Sequence, residues 1–278
     1  MIVKFDKLNP LFASQDGVPV IGNIMTSRWA YEALAVNQFI NNEYQEKFYP
    51  LESKLKYANY KKGSWKDVVG NHLRSAKRAI QNPENEENEY KLDYDLKIVK
   101  NALEEESKFL DFPFDGSNLD REHFTMDVYN ETYSLLEKIG KHYNKIYNQN
   151  NRKKDNIIIS YEEQMGKDKF IQFKDDYSND NLNTFLTNSN TTTFIQEFEG
   201  RLIPKKDYIY IKPYTSTFLN SHFYSPYKRL FGRWVPTLWA NTLIIWILTL
   251  IFGITLFSNF FNRMGKWIGQ KIGKVIPD

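Results

Sequence analysis

Between Phe39 and Trp234 the apolar positions recur at a spacing near 3.5 in four stretches. One carries Phe48, Leu51, Leu55 and Ala58. A second carries Val69, Leu73, Ala76 and Ile80. A third carries Leu92, Leu96, Val99, Leu103 and Leu110, and the fourth Phe124, Val128, Leu135, Ile139, His142 and Ile146. Such stripes predict amphipathic helices that bury one side against each other. The breaks between them are short: Lys61–Ser64, the acidic Asn82–Glu89 run, which reads as a solvated loop, and Asp111–Asn118. Short connections favour antiparallel neighbours, so the pattern predicts a small helical bundle. Asp120 is positioned to cap the fourth helix, with Glu122 adding negative charge to its first turn.

The pattern weakens after Asn148. Asn148–Asn156, NQNNRKKDN, reads as a loop, and Asp207–Lys212, DYIYIK, alternates as a strand or extended segment does. From Tyr208 to Trp234 the chain is dense in aromatics, as expected of a segment resting at a membrane interface.

From Trp234 to Asn262 no residue is charged, and Arg233 and Arg263 bracket the run. Its centre, Leu238–Phe261, is long enough as a helix, roughly 36 Å, to cross a hydrocarbon core about 30 Å thick. Trp234, Trp239, Phe260, Phe261 and Trp267 lie near its ends, where interfacial aromatics belong. Residues 234–262 are therefore expected to be a transmembrane helix, and residues 263–278 a basic amphipathic tail. Lys228, Arg229 and Arg233 upstream stand against Arg263, Lys266, Lys271 and Lys274 downstream, a bias toward a cytoplasmic C-terminus. Gly265, Gly269 and Gly273 form a tandem G-x-x-x-G beyond the apolar centre.

A second apolar stretch opens the chain. Thr26–Phe39, TSRWAYEALAVNQF, reads as a helix with apolar residues nearly all round, capped by Thr26 or Ser27. Arg28 and Glu32 stand four apart and can pair. At about 20 Å the helix is too short to cross a bilayer. VPVIGNI, Val18–Ile24, precedes it and is broken at Pro19 and Gly22. Two short apolar pieces joined at a break suit a buried, interfacial or re-entrant position.

Composition narrows the chemistry. The 278 residues contain no cysteine, which excludes disulfides, thiolate metal sites and cysteine nucleophiles. A net charge of +3 with scattered basic residues gives no footprint for nucleic acid. No P-loop, G-x-S-x-G or H-E-x-x-H occurs. The four histidines, His72, His123, His142 and His222, fall at no metal-ligand spacing, and His142 on an apolar stripe reads as a core or boundary residue. Glu104, Glu105 and Glu106 are consecutive and point in different directions from a helix, so they form no acid–base pair. The N-terminus, interrupted by Lys4, Asp6 and Lys7, has no signal-peptide pattern. No catalytic, cofactor-binding or metal-binding residue is proposed, and the chain is not expected to be an enzyme.

The stretch SRWAYEALAVNQF resembles the re-entrant element before the last membrane helix of G-type ABC transporters and related type-2 ABC permeases. Arg28, Glu32, Ala33, Leu34, Asn37 and Phe39 match that pattern, and Gln38 replaces its usual acidic residue. The order of parts also matches: re-entrant helix, extracytoplasmic segment, final membrane helix, short cytoplasmic end. The segment between is longer here than in typical members, and the family's ATPase motifs and its other membrane helices do not occur.

The resemblance implies a mainly α protein of four parts. Residues 1–40 form a re-entrant or interfacial segment, 41–233 a helical extracytoplasmic domain, 234–262 the membrane helix and 263–278 the cytoplasmic tail. It implies the C-terminal permease portion of an ATP-driven transporter in a bacterial inner membrane. The partners implied are lipid, an ABC ATPase domain or subunit and the remaining permease helices, in a dimeric transporter. Arg28, Glu32 and Asn37 are then candidates for shaping the outer end of a transport path. The alternative from the residues alone is a tail-anchored helical interaction protein with a cytoplasmic binding module.

Overall fold

The computed structural model describes residues 20–82, 86–110, 112–211, 222–259, 263, 264 and 266. The four periodic stretches form α3 (Gln45–Tyr60), α4 (Lys66–Gln81), α5 (Glu86–Leu110) and α6 (Met126–Met165). A π-helical turn, Lys61–Trp65, joins α3 to α4, with its kink at Gly63, whose φ −106° and ψ −107° are not helical. The chain therefore turns where the expected Lys61–Ser64 break lies. α4 packs on α5, and α3 and α4 both pack on α6. Their shared core holds Trp65, Val69, Leu73, Leu96, Val99, Leu103, Leu136 and Ile139. Each large apolar side chain fully buried there contributes about 1.5–3 kcal/mol.

The structure corrects the helix limits. α5 already begins at Glu86, so the acidic run is helical at its end; residues 83–85 lie outside the described set. The cap of α6 is Thr125, whose hydroxyl accepts from Val128 N; Asp120 Oδ1 instead accepts from Glu122 N and His123 N within its own turn. The buried members of α6 include Leu136 and Tyr143, while His142 is exposed. α6 also runs straight through Asn148–Asn156 for 40 residues in all. Arg152, Lys153 and Lys154 are good helix formers, which a solvated face accepts. Beyond them Ile157, Ile158 and Tyr161 pack onto Tyr44, Phe48 and Phe170, so tertiary contacts hold the extension.

Gly166, at φ 84°, ends α6 and starts α7 (Lys167–Asp176); α8 (Asp180–Thr187) follows, capped by Asn179 Oδ1 accepting from Leu182 N at 2.9 Å. Two antiparallel hairpins come next. β1 (Ile195–Phe198) pairs with β2 (Arg201–Pro204), and β3 (Tyr227–Leu230) with β4 (Arg233–Pro236). Their turns, Glu199-Gly200 and Phe231-Gly232, carry positive φ at both residues, as mirror-image two-residue hairpin turns require. The DYIYIK segment is not a strand: Tyr208–Tyr210 is a 3-10 turn. Its Ile209 and Tyr210 are buried against Val36, Phe39 and Tyr49. Residues 212–221, with Tyr214 and Phe218 of the aromatic-rich stretch, lie outside the described set.

α9 (Thr237–Phe257) is 21 residues long, with a mean hydropathy of 2.1 over its most apolar 18 residues, and by length and composition can cross a membrane. It starts after β4, so Trp234 belongs to the hairpin. Its buried residues are Thr237, Ala240 and Asn241, all in the first two turns. Beyond them the apolar surface is bare, with Leu250, Ile254 and Phe257 exposed. Phe260, Phe261, Trp267, the G-x-x-x-G glycines and nearly all of the basic tail lie outside the described residues.

At the other end, α1 (Val20–Ile24) and α2 (Thr26–Ile40) are separated at Met25, with Gly22 inside α1; Val18 and Pro19 lie outside the described set. Met25 is the N-cap of α2, and neither Thr26 nor Ser27 caps it. Trp29 Nε1 donates to Asn23 O at 2.8 Å and folds α1 back on α2. α2 packs along the start of α9 and also touches α3 and α8. It joins the beginning of the chain to its end.

Candidate functional site

Where α2 meets α9, four polar side chains converge in a packed interior. Glu32 lies at the centre with no exposed surface. Its Oε1 accepts from Lys228 Nζ at 2.9 Å and from Tyr224 N at 3.1 Å. Its Oε2 accepts from Asn241 Nδ2 at 2.9 Å and lies 3.8 Å from Arg28 Nη2. Asn241 Nδ2 also donates to Trp29 O at 3.1 Å. Three elements supply the groups: Arg28 and Glu32 come from α2, Lys228 from the inward side of β3, and Asn241 from the second turn of α9. Thr237 fixes the hairpin to the head of α9, its N–H donating to Pro226 O and its hydroxyl to Ser225 O.

The electrostatics follow from this packing. Burial opposes the ionisation of Glu32, but the charges of Lys228 and Arg28, with the hydrogen bonds from Lys228 and Asn241, overcome it and hold the carboxyl below its ordinary range. Burial draws the Lys228 ammonium below its ordinary value against the pull of Glu32. One carboxylate thus serves two cations. Arg28 stacks its guanidinium 3.8 Å from the Trp29 ring centroid. Its Nε and Nη1 are buried with no hydrogen-bond partner.

Arg28 and Glu32 are therefore brought together as their spacing predicts. Asn37 is not part of the cluster. It sits at the half-exposed end of α2, where its Oδ1 accepts from Asn41 Nδ2 at 2.7 Å. Lys228 and Asn241 were not singled out in the sequence. The one legible signal was Asn241, the lone carboxamide in the apolar α9, where a side-chain amide needs a partner across the helix interface. Lys228 stands 196 residues from Glu32 and gave no local sign.

Two further polar clusters lie in the helical domain. Glu106, buried and pointing inward from α5, takes hydrogen bonds from Lys61 Nζ and Tyr143 OH. His72 Nδ1 lies 2.6 Å from Asp95 Oδ1 and its Nε2 3.0 Å from Glu197 Oε1, while Tyr94 OH donates to Glu197 Oε2 at 2.7 Å. This second cluster ties the β1–β2 hairpin to α4 and α5. Among the described residues no group of three or more His, Cys, Asp or Glu can hold a metal ion.

An open cleft of about 870 Å³ lies between α3, the middle of α6, the α7–α8 turn and the 3-10 turn, bordered by the C-terminal end of α2. Glu52 crosses its floor, accepting from Lys154 Nζ at 2.6 Å and Tyr210 OH at 3.1 Å.

Fold and site together define a class: a mainly helical domain, closed onto the head of one helix able to cross a membrane by a buried carboxylate that joins both ends of the chain. Comparison of the chain with protein-family models, with curated proteins and with solved structures finds no match.

Proposed function

We propose that this chain is the C-terminal permease portion of an ATP-driven, ABC-type transporter. In this reading α9 crosses the membrane with its C-terminal end in the cytoplasm, and the helical domain lies outside. α2 rests as the re-entrant or interfacial helix at the outer end of α9. The observation that carries the reading is the Glu32 cluster. Glu32, one of the residues behind the permease resemblance, makes a buried contact with Asn241 in the first turns of the membrane helix, and Arg28, another of them, stands beside it as its i,i+4 partner. A buried ion pair adds little net stability, but breaking it strands charge, so the contact suits a helix that must keep a fixed station at the head of α9. The bare remainder of α9 and the exposed apolar residues of α2, Tyr31 and Leu34, are surface for lipid and the other permease helices.

ATP hydrolysis belongs to another domain or subunit, so the reading is tested by co-isolation. The chain is tagged in its host, extracted in mild detergent and purified, and vanadate-sensitive ATP hydrolysis is measured on the isolated assembly. The expected result is hydrolysis accompanied by a P-loop polypeptide, whether fused to the chain or separate. A chain that isolates without any ATPase from cells expressing it at native level contradicts the proposal and leaves a single-span binding module.

A further inference from the structure

The cleft on the helical domain is unused by the membrane contact, and its chemistry is specific. Ordinary small-molecule pockets are mostly apolar with a few fixed polar groups. This one reverses the proportion. Of its lining residues only Phe39, Leu55 and Leu182 lack a polar side-chain atom. Seven are carboxamides. Each carboxamide offers donors and an acceptor without charge.

The charged groups largely cancel. Four lysines face three carboxylates around the cleft. Lys154 is paired with Glu52 at 2.6 Å, and Lys56 with Asp207 at 3.4 Å. Lys174 and Lys206 line the cleft outside these two pairs, with Asp176 as the third carboxylate, so the lining carries one positive charge in excess.

Part of the carboxamide set is occupied by the fold. Asn42 bridges α2 to α3, and Asn179 caps α8. Gln45 is not so used: its Oε1 is buried and has no hydrogen-bond partner. A buried acceptor left unpaired costs about 1–3 kcal/mol, and rotation of the Gln45 side chain toward the cleft it lines would let a ligand donor relieve it. Asn59 and Asn183 stand exposed along the rim. Tyr147 and Tyr177, both half-buried, line it too, with one face of the Tyr147 ring taken by Lys62 Nζ at 3.7 Å and the Tyr177 hydroxyl bonded to Glu43.

We propose that this cleft binds a neutral, polyhydroxylated ligand, a saccharide chain. Hydroxyls both donate and accept, which suits carboxamides and the orphan Gln45 oxygen. C–H faces of sugar rings suit tyrosine. An anionic ligand would meet Glu52 on the floor, and the two lysines outside the ion pairs, Lys174 and Lys206, add only a small positive surplus against Asp176. A peptide strand would need a free sheet edge or a row of apolar pockets, and neither lines the cleft among the described residues. At 870 Å³ the cleft accommodates a short oligosaccharide rather than a monosaccharide alone.

The test uses the full chain in a detergent without a sugar headgroup, applied to an array of neutral and anionic glycans. Two variants are compared, Gln45→Leu and Asn183→Ala, each verified as folded by its far-ultraviolet circular dichroism and melting temperature. Asn183 is exposed on α8, so its truncation leaves the fold intact even if Gln45→Leu does not. The expected result is retention of one or more neutral glycans by the wild type, with the apparent Kd raised about tenfold or more in Asn183→Ala and in folded Gln45→Leu. Three results overturn the proposal: no glycan retained by the folded wild type, retention of anionic glycans only, or neutral-glycan binding unchanged in Asn183→Ala. The assay does not depend on the transporter reading, because it measures the cleft and not ATP hydrolysis or membrane orientation.

Discussion

Replacing Glu32 by alanine should release α2 from the head of α9. The side chain is fully buried and takes hydrogen bonds from Lys228, Tyr224 N and Asn241. Its loss leaves Lys228 and Arg28 as buried cations with no counter-charge. Removing one partner of a buried pair costs about 3–5 kcal/mol, and even the lower figure is two decades in an opening equilibrium. The contact lies at one end of the molecule, away from the Leu73–Leu103 core, so the cost falls first on local opening of α2. Hydrogen–deuterium exchange on the full chain in lipid nanodiscs reads this directly. In Glu32→Ala the amides of residues 30–40 should exchange about 100-fold faster or more, while those of α4 and α5 change little. The double variant Glu32→Leu with Lys228→Met, which removes both charges, should recover a large part of that protection. Protection of α2 within threefold of wild type in Glu32→Ala would refute the reasoning, since the carboxylate would then hold nothing.

Other expectations follow from named contacts. Lys61→Ala should destabilise the helical domain by about 3–5 kcal/mol by stranding Glu106, and Lys61→Met with Glu106→Leu should restore most of it in denaturant titration. Leu73→Ala, at a site with no exposed surface, should cost about 2–5 kcal/mol by the same measurement. His72 has a folded pKa raised above its ordinary value: burial opposes its charge, but the hydrogen bonds and charges of Asp95 and Glu197 prevail. Its contribution is therefore complete below pH about 6.5 and is lost as pH rises through the folded value. The stability difference between wild type and His72→Gln should shrink over that rise, and a difference that grows with pH would contradict the assignment.

How much of this was readable in the sequence depended on where the determining contacts lie. The stripes of α3, α4 and α5 are local, and so is the uncharged run of α9; periodicity and composition report both. The second half of α6 was obscured because its Asn148–Asn156 turns carry no apolar stripe, while the contacts that sustain it, Tyr161 on Phe48 and Phe170, span distant segments. Phe231-Gly232 was a legible turn signal masked by the aromatic density around it, whereas Glu199-Gly200 sits between two runs of only four residues, too short for their alternation to stand out. DYIYIK alternates like a strand, yet Ile209 and Tyr210 turn into the cluster with Phe39 and Tyr49, and no partner strand lies beside them among the described residues. At the site, the pairing of Arg28 with Glu32 was legible from their i,i+4 spacing, while their candidacy as site residues, with Asn37, came from the permease resemblance. Lys228 was not legible, because a lysine in YKRL looks solvated until the fold turns β3 inward onto Glu32.

The most direct measurement for the account as a whole is the side of the membrane on which the helical domain lies. The chain has no cysteine, and Ser117 is exposed in the α5–α6 connection, so Ser117→Cys creates a single accessible thiol. Intact host cells, or spheroplasts if an outer membrane bars the reagent, are treated with a membrane-impermeant maleimide before and after lysis. The account predicts full labelling before lysis, with the domain outside and α2 at the outer end of α9. Labelling only after lysis would put the domain in the cytoplasm and contradict the permease reading.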